Sequence, residues 1–216
     1  MKNREAATFL LVPLLLITIV PAANSPETSI QEVKPSRTIE FIIDPELLKS
    51  TPLETVVNKL QETVKQASLI FKAQVGPKLE LAIITVNPPL PGTWKEPALK
   101  YVHILLWLKE IPKQTDFLVF VSNIGLKNAA GESRGGYAFI STPYNKHRDS
   151  IILYSSHVNT MKKELLHEIG HNCGAEHNDK TGSGTKPAEE SIMHSKIMSD
   201  IRYDSESLII IKAYCG

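Results

Sequence analysis

The chain has 216 residues, of which 42% are hydrophobic and 22% are charged, and its formal net charge is +1 at pH 7. These fractions are ordinary for a globular protein, and the length allows one sizeable domain or two small ones. A net charge near zero gives no support for a nucleic acid or an anionic membrane surface as the partner, so we expect neither.

Residues 1–23 are typical of a secretory signal peptide. Lys2 and Arg4 precede an apolar run over residues 9–20, and small residues follow this run. The run is short for a membrane span and contains Pro13, although a signal anchor is the alternative interpretation. We therefore predict cleavage close to residue 23, secretion to the extracellular space, and no membrane contact by the mature chain.

Residues 24–37 are polar and contain proline, which predicts a linker or a short pro-segment before a folded domain over residues 38–216. Hydrophobic periodicity divides that domain into strands and helices. The predicted strands cover residues 38–44, 78–86, 116–123, 136–141 and 150–154, and the predicted helices cover residues 53–71, 98–111, 159–173 and 200–214.

The order of these elements predicts an α/β (α+β) fold in which helices pack on a mixed sheet. Residues 116–123 are apolar almost throughout, which indicates burial on both faces of the sheet. The isoleucines in the last segment leave a strand as the alternative to a helix there. The domain is either one compact unit or a larger N-terminal part with a smaller part after Gly174.

Three of the seven histidines lie in one short stretch, H-E-x-x-H-x-x-G-x-x-H, over residues 167–177. In a helix, His167 and His171 project from one face, because residues four apart are neighbours on the helix surface. Gly174 can end that helix in a left-handed conformation and turn the chain back, so that His177 faces the same point.

Three neutral imidazole nitrogens with a vacant fourth position are the arrangement of a catalytic zinc site, which predicts one Zn²⁺ ion here. Glu168 lies between the first two ligands in sequence and can reach a water at that position as a general base. A structural zinc module is the alternative, but it needs a fourth protein ligand, for which Cys173 is the only thiol nearby.

This motif is the zinc signature of the metzincin metallopeptidases. The resemblance extends to a methionine turn, since Met193 in the string SIMH lies sixteen residues after His177. Within the metzincins, HEIGHN and the upstream GYAFIS make the chain most similar to the reprolysin (adamalysin) branch, especially to the small secreted forms of arthropods. Asn178 stands where reprolysins usually have aspartate, and the usual pro-domain is not visible.

The resemblance implies a twisted, mostly parallel sheet of about five strands, an active-site helix and a small C-terminal subdomain that contains the methionine turn. It implies that residues 38–216 are the catalytic domain of a secreted zinc metalloendopeptidase, with Met193 as an apolar floor beneath the metal. Extended polypeptides would be the substrates, and we expect a monomer. The alternative function is a secreted binding protein on the same scaffold, with weak or no catalysis.

Several other residues are candidates for supporting roles. Gly136, Tyr137 and Ala138 are predicted to form a sheet edge that binds substrate by strand addition, or else an ordinary edge strand. Cys173 and Cys215 are the candidate disulfide of an oxidising compartment, the alternative being two free thiols.

Four further histidines are assigned less central positions. We expect His103 to be structural, His147 to be solvated, and His157 and His194 to lie outside the ligand set. The family resemblance also places the wall of the pocket for the side chain after the scissile bond at residues 194–200.

Overall fold

A five-stranded sheet forms the centre of the molecule. The structure, a computed structural model, describes residues 36–86, 100–112, 114–123, 126–127, 133–144, 146–177, 191–194 and 202–216. The predicted signal peptide, and all of the predicted linker except residues 36 and 37, lie outside these residues. The strands are β1 (Ser36–Ile43), β2 (Lys78–Val86), β3 (Phe117–Ser122), β4 (Leu126–Lys127), β5 (Ser133–Arg134), β6 (Gly136–Ala138) and β7 (Asp149–Leu153). The helices are α1 (Pro45–Leu48), α2 (Leu53–Gln74), α3 (Lys100–Glu110), α4 (Val158–Asn172) and α5 (Ser205–Cys215).

The strand order in the main sheet is β2-β1-β3-β7-β6, and β4 pairs separately with β5. Strands β2, β1, β3 and β7 run parallel to one another, whereas β6 runs antiparallel to β7. This mixed five-stranded sheet with helices confirms the predicted fold class. It also places β6 at an edge of the sheet.

Helices cover both faces of the sheet. Successive side chains of a strand point to opposite faces, so one strand can contribute to two separate buried clusters. Ile39, Phe41 and Val119 belong to a buried cluster that includes residues of α2 and α4. Leu118 and Phe120 belong to a second cluster that includes residues of α3. All of β3 is buried, which confirms the prediction of burial on both faces.

The ends of the helices follow local chemistry. Helix α2 ends at Gln74, and Gly76 has a φ of 125°, a conformation that glycine adopts at low cost. The terminal segment forms helix α5 and not a strand. At its start, the Asp204 side chain accepts a hydrogen bond from the Ser207 backbone N–H. Helix α4 begins at Val158, and no side-chain hydrogen bond caps it at His157.

The predicted strand over residues 136–141 is too long, since β6 ends at Ala138. The chain leaves the sheet after Ala138, and Ser141 forms its hydrogen bonds outside the sheet. Its backbone N–H donates a hydrogen bond to the carbonyl oxygen of His171 at 3.0 Å, and its hydroxyl donates to the carbonyl of His147 at 2.7 Å. These contacts attach the loop after β6 to the end of α4.

A disulfide joins Cys173 to Cys215, with 5.8 Å between their Cα atoms. Both residues are buried, and the bond connects the end of α4 to the end of α5. It therefore ties the terminal helix to the helix that carries the first two histidines of the motif. Within the described part of the chain, no helix has the length and apolar character needed to cross a membrane.

Replacing both cysteines with alanine should lower the free energy of unfolding by about 2–4 kcal/mol, because the disulfide restricts a loop of 42 residues in the unfolded chain. Urea unfolding of the wild type and the double variant, each at the same pH, measures this difference. Reduced wild-type protein is the control and should resemble the variant. Equal stability of all three samples would contradict a stabilising role for the bond.

Candidate metal centre

Three imidazole nitrogens converge at one point. The Nε2 atoms of His167, His171 and His177 lie 3.1 Å from one another in all three pairs. Nitrogens bound to one tetrahedral zinc at about 2.0–2.1 Å would be about 3.3 Å apart, so the three side chains fit a zinc ion. Among the described residues, these three form the group able to hold a metal ion.

The bend that brings His177 back is built around Gly174. Its φ is 91°, and its N–H donates a hydrogen bond to the His171 carbonyl at 2.9 Å. The next N–H, from Ala175, reaches back to the Gly170 carbonyl at 3.0 Å. This pattern ends α4 with a glycine in the left-handed region, as the sequence predicts.

The outer nitrogens of the first two imidazoles are held by backbone carbonyls. His167 Nδ1 lies 2.6 Å from the carbonyl oxygen of Ile192, and His171 Nδ1 lies 2.7 Å from that of Ala175. A carbonyl can only accept, so each Nδ1 carries the proton and donates it. The lone pair of each ring is therefore on Nε2, directed at the common point, as a metal ligand requires.

Glu168 follows His167 in α4, and its side chain is 3% exposed. Its Oε1 would be 2.6 Å from a Cβ atom added to Gly136 in β6, and its Oε2 has no hydrogen-bond partner among the described residues. Burial raises the pKa of Glu168 well above the usual range, and the carboxylate of Glu164 raises it further. A cation held by the histidines would oppose this shift, because positive charge favours the ionised form.

Glu164 lies one turn before Glu168 and is also buried. Burial raises its pKa to about 8, although the backbone N–H of Leu153 opposes the shift. Its Oε2, like that of Glu168, has no hydrogen-bond partner within the described ranges. No motif in the sequence points to Glu164.

Met193 lies directly against α4. A Cβ atom added to Gly170 would be 2.4 Å from the Met193 sulfur, so the thioether occupies the space beside the helix backbone between the two histidines. Met193 is completely buried. Its role as an apolar floor beneath a metal stays a prediction.

A hydrogen-bonded network around Asp204 holds the methionine turn, and sequence reasoning did not find it. The Ser191 hydroxyl donates to Asp204 Oδ2 at 2.7 Å and accepts from the Met193 N–H at 3.0 Å. The next residue after Ser191, Ile192, supplies the carbonyl that binds His167. The start of α5 is thus connected through the turn to a candidate metal ligand.

Tyr203 adds a second connection, since its hydroxyl donates to the Leu166 carbonyl at 2.7 Å. The phenol is fully enclosed, and burial raises its pKa far above the usual range. Asp204 is a residue type that favours the start of a helix, but no local pattern in the sequence predicts contacts with Ser191 or Leu166.

The remaining predicted residues are placed as follows. Gly136, Tyr137 and Ala138 form β6 and are half-buried at the sheet edge. His194 is half-buried and lies outside the metal-capable group, and residues 195–200 of the predicted pocket wall lie outside the described residues. Cys173 is bonded to Cys215 and so cannot serve as a fourth ligand, which contradicts the structural-module alternative.

The prediction that His147 is solvated is wrong. His147 is 8% exposed, and its ring packs against Phe139 with 5.0 Å between centroids. Its backbone N–H and carbonyl both bind the Ser141 hydroxyl, at 2.7 Å each. These contacts bury a residue whose neighbours in sequence are polar.

The fold and the histidine cluster are those of a zinc metallopeptidase. The family model described as metallo-peptidase family M12B, reprolysin-like, matches residues 57–178, which is more than half of the chain. The chain therefore belongs to this family. No curated protein sequence matches it.

Two solved structures show a similar fold. Archaemetzincin from Methanopyrus kandleri matches with a TM-score of 0.58 and 12% identity, over 84% of this chain and 96% of that chain. A chain in the structure of a chaperone–substrate complex matches with a TM-score of 0.51 and 17% identity, over 83% of this chain and 34% of that chain. At identities this low, the structural likeness shows a shared fold and nothing further.

Replacing Asp204 with asparagine should lower the free energy of unfolding at pH 7 by about 1–3 kcal/mol, because the charged acceptor of several buried hydrogen bonds is lost. Burial raises the pKa of Asp204, but the backbone N–H of Ser207 and the hydroxyls of Ser191 and Ser207 outweigh it, so the net shift is downward. A lowered folded pKa contributes stability that is complete above the unfolded pKa and is lost as pH falls through the folded pKa.

The difference in the free energy of unfolding between the wild type and Asp204→Asn should therefore be constant near neutral pH and become smaller below about pH 4. Urea unfolding at a series of pH values measures it. Glu206→Gln is the matched control, since this exposed acid lies two residues away in the first turn of α5. A gap that stays the same down to about pH 3 would contradict an ionised Asp204 as the source of the stability.

Proposed function

We propose that the protein is a secreted zinc-dependent endopeptidase in which Glu168 acts as the general base. The observation that carries this proposal is the convergence of three Nε2 lone pairs, 3.1 Å apart, from the segment that also carries Glu168. His167, His171 and His177 would hold the ion. A zinc ion at such a site acts as a Lewis acid and lowers the pKa of a bound water towards about 7.

Glu168 is suited to move a proton at this site. Its Oε2 makes no hydrogen bond with any described residue and so has capacity to accept a proton from water. Burial keeps bulk water away from this carboxyl, and once protonated it can donate to the departing amine. The same side chain would thus take up the proton at the attack and release it when the peptide bond breaks.

The substrate would bind as an additional strand along β6. Gly136, Tyr137 and Ala138 pair with β7 on one side, and β6 is the last strand in the sheet order. Strand addition pairs the backbone N–H and carbonyl groups of an extended peptide with the sheet and depends little on most of its side chains. It would lay the scissile bond close to Glu168, because that carboxyl occupies the space where a Cβ atom of Gly136 would be.

Secretion is supported by the signal-like segment at residues 1–23 and by the disulfide, since such bonds persist in oxidising compartments. We further propose, from the GYAFIS and HEIGHN strings, that the protein is a true reprolysin of the small secreted type known from arthropods. It would act as a monomer on extended polypeptides.

The purified chain over residues 24–216 should cleave a labelled unfolded protein substrate only when zinc is present. Glu168→Ala should lower the rate by about 10²–10⁴-fold, because the general base is removed. Glu164→Gln is the matched control, as it removes a buried carboxyl one turn away and should retain most of the activity. Chelation should abolish cleavage, and added zinc should restore it.

Equal cleavage by the wild type and Glu168→Ala would contradict the role of Glu168. If the wild type binds zinc and cleaves nothing, the endopeptidase proposal is wrong and the binding-protein alternative is favoured.

A further inference from the structure

Two glutamates on one face of α4 meet two consecutive glycines beside them. A Cβ atom added to Gly135 would be 2.2 Å from Oε1 of Glu164. A Cβ atom added to Gly136 would be 2.6 Å from Oε1 and 2.9 Å from Cγ of Glu168. Each carboxyl therefore occupies the space that a side chain would take at the opposing glycine.

The glycines are not explained by backbone conformation. In the described part of the chain, the glycines with positive φ are Gly76 and Gly174, so Gly135 and Gly136 have conformations open to other residues. What distinguishes the two positions is close approach. Any side chain would overlap a buried carboxyl, so the lack of a Cβ lets the edge strand lie on the acidic face of α4.

Cβ atoms added at Gly135 and at Gly136 would meet different obstacles. All three nearest atoms to the Gly135 position belong to the outer part of the Glu164 side chain, which can turn away. The Gly136 position is also limited by the backbone carbonyl of Ile151, 2.7 Å from the added Cβ. The paired strand thus prevents β6 from retreating, and a larger residue at Gly136 would push on Glu168.

We infer that Gly136 is a positioning residue for Glu168: strand β6 fixes the carboxyl of the general base because no Cβ lies between them. This role rests on the proposed function and adds to it. With Oε1 held against the strand backbone, Oε2 remains the oxygen that is free to exchange a proton. Gly136 would therefore act on the rate of the chemical step, whatever it contributes to strand addition.

The first test compares Gly136→Ala with Gly135→Ala in the zinc-loaded protein. Gly136→Ala should lower kcat by about 10²-fold, because a misplacement of about 1 Å in a reacting group costs that much. The KM and the zinc dissociation constant should change by less than about threefold, since neither depends mainly on the Glu168 carboxyl. Gly135→Ala should leave kcat within about threefold of the wild type, because it displaces Glu164 instead.

An equal loss of kcat in both glycine variants would overturn the inference, since general damage to the edge strand would then explain it. A fall in zinc affinity that accounts for the loss in Gly136→Ala would overturn it as well.

The second test needs neither zinc nor substrate. Gly136→Ala should lower the Tm of the zinc-free protein by roughly 3–10 °C, the expected effect of overpacking a buried contact. At least half of this shift should disappear in a Glu168→Ala background and persist in a Glu164→Ala background. For Gly135→Ala we expect the reverse. Its Tm shift should shrink in a Glu164→Ala background and persist in a Glu168→Ala background.

Additive shifts in every combination would overturn the inference, because they would show that Gly136 and Glu168 do not interact. A wild type that cleaves no substrate would contradict the proposed function alone. The Tm measurements are independent of activity and still decide whether Gly136 positions Glu168.

Discussion

The crowding of three imidazole lone pairs is the constraint on which the site depends. The three Nε2 atoms lie 3.1 Å apart, and with each Nδ1 of the first two rings donating to a carbonyl, two acceptor nitrogens face each other without a proton between them. This arrangement is unfavourable unless a cation lies between the nitrogens, and the protein must hold the rings in place beforehand. The surrounding structure supplies that restraint through the backbone carbonyls and the turn at Gly174.

The restraints converge from distant parts of the chain. The Ile192 carbonyl fixes His167, and the turn that presents it is held by the Ser191–Asp204 hydrogen bond. Asp204 also begins α5, which returns at its other end to the disulfide at the close of α4. Helix α5 lies beyond the region that the family model matches, yet it is connected to α4 at Cys173 and, through the methionine turn, at His167. The terminal helix thus supports the metal centre.

The edge strand brings a different part of the chain to the same helix. Strand β6 touches α4 through two glycines whose missing side chains leave room for buried carboxyls. Burial of the Glu164 and Glu168 carboxyls costs stability, because the Oε2 of each has no hydrogen-bond partner among the described residues and neither carboxyl can ionise easily there. A buried carboxyl with a raised pKa, such as Glu168 beside the three histidines, is a pattern expected at functional sites.

The elements that the sequence predicts well are those set by local spacing. The alternation of strands and helices, the helix that bears His167 and His171, and the glycine that ends it all follow from patterns within about one or two helical turns. The failures come from contacts between distant residues. The predicted strand over residues 136–141 was too long because Ser141 binds His171 and His147, and the same contacts bury a histidine that its polar neighbours suggested was solvated. The Asp204 network and the pairing of Gly136 with Glu168 involve partners 13 and 32 residues apart, so no local pattern reveals them.

Zinc-edge X-ray absorption of the purified mature protein, combined with metal analysis, shows whether the three imidazoles hold a zinc ion. The account predicts one zinc per chain with three imidazole nitrogens and one oxygen at about 2.0–2.1 Å. It also predicts that His177→Ala loses one nitrogen ligand, whereas His157→Ala, at the exposed start of α4, leaves the spectrum unchanged. Zinc well below one per chain, a sulfur ligand, or a spectrum that does not change in His177→Ala would contradict the account.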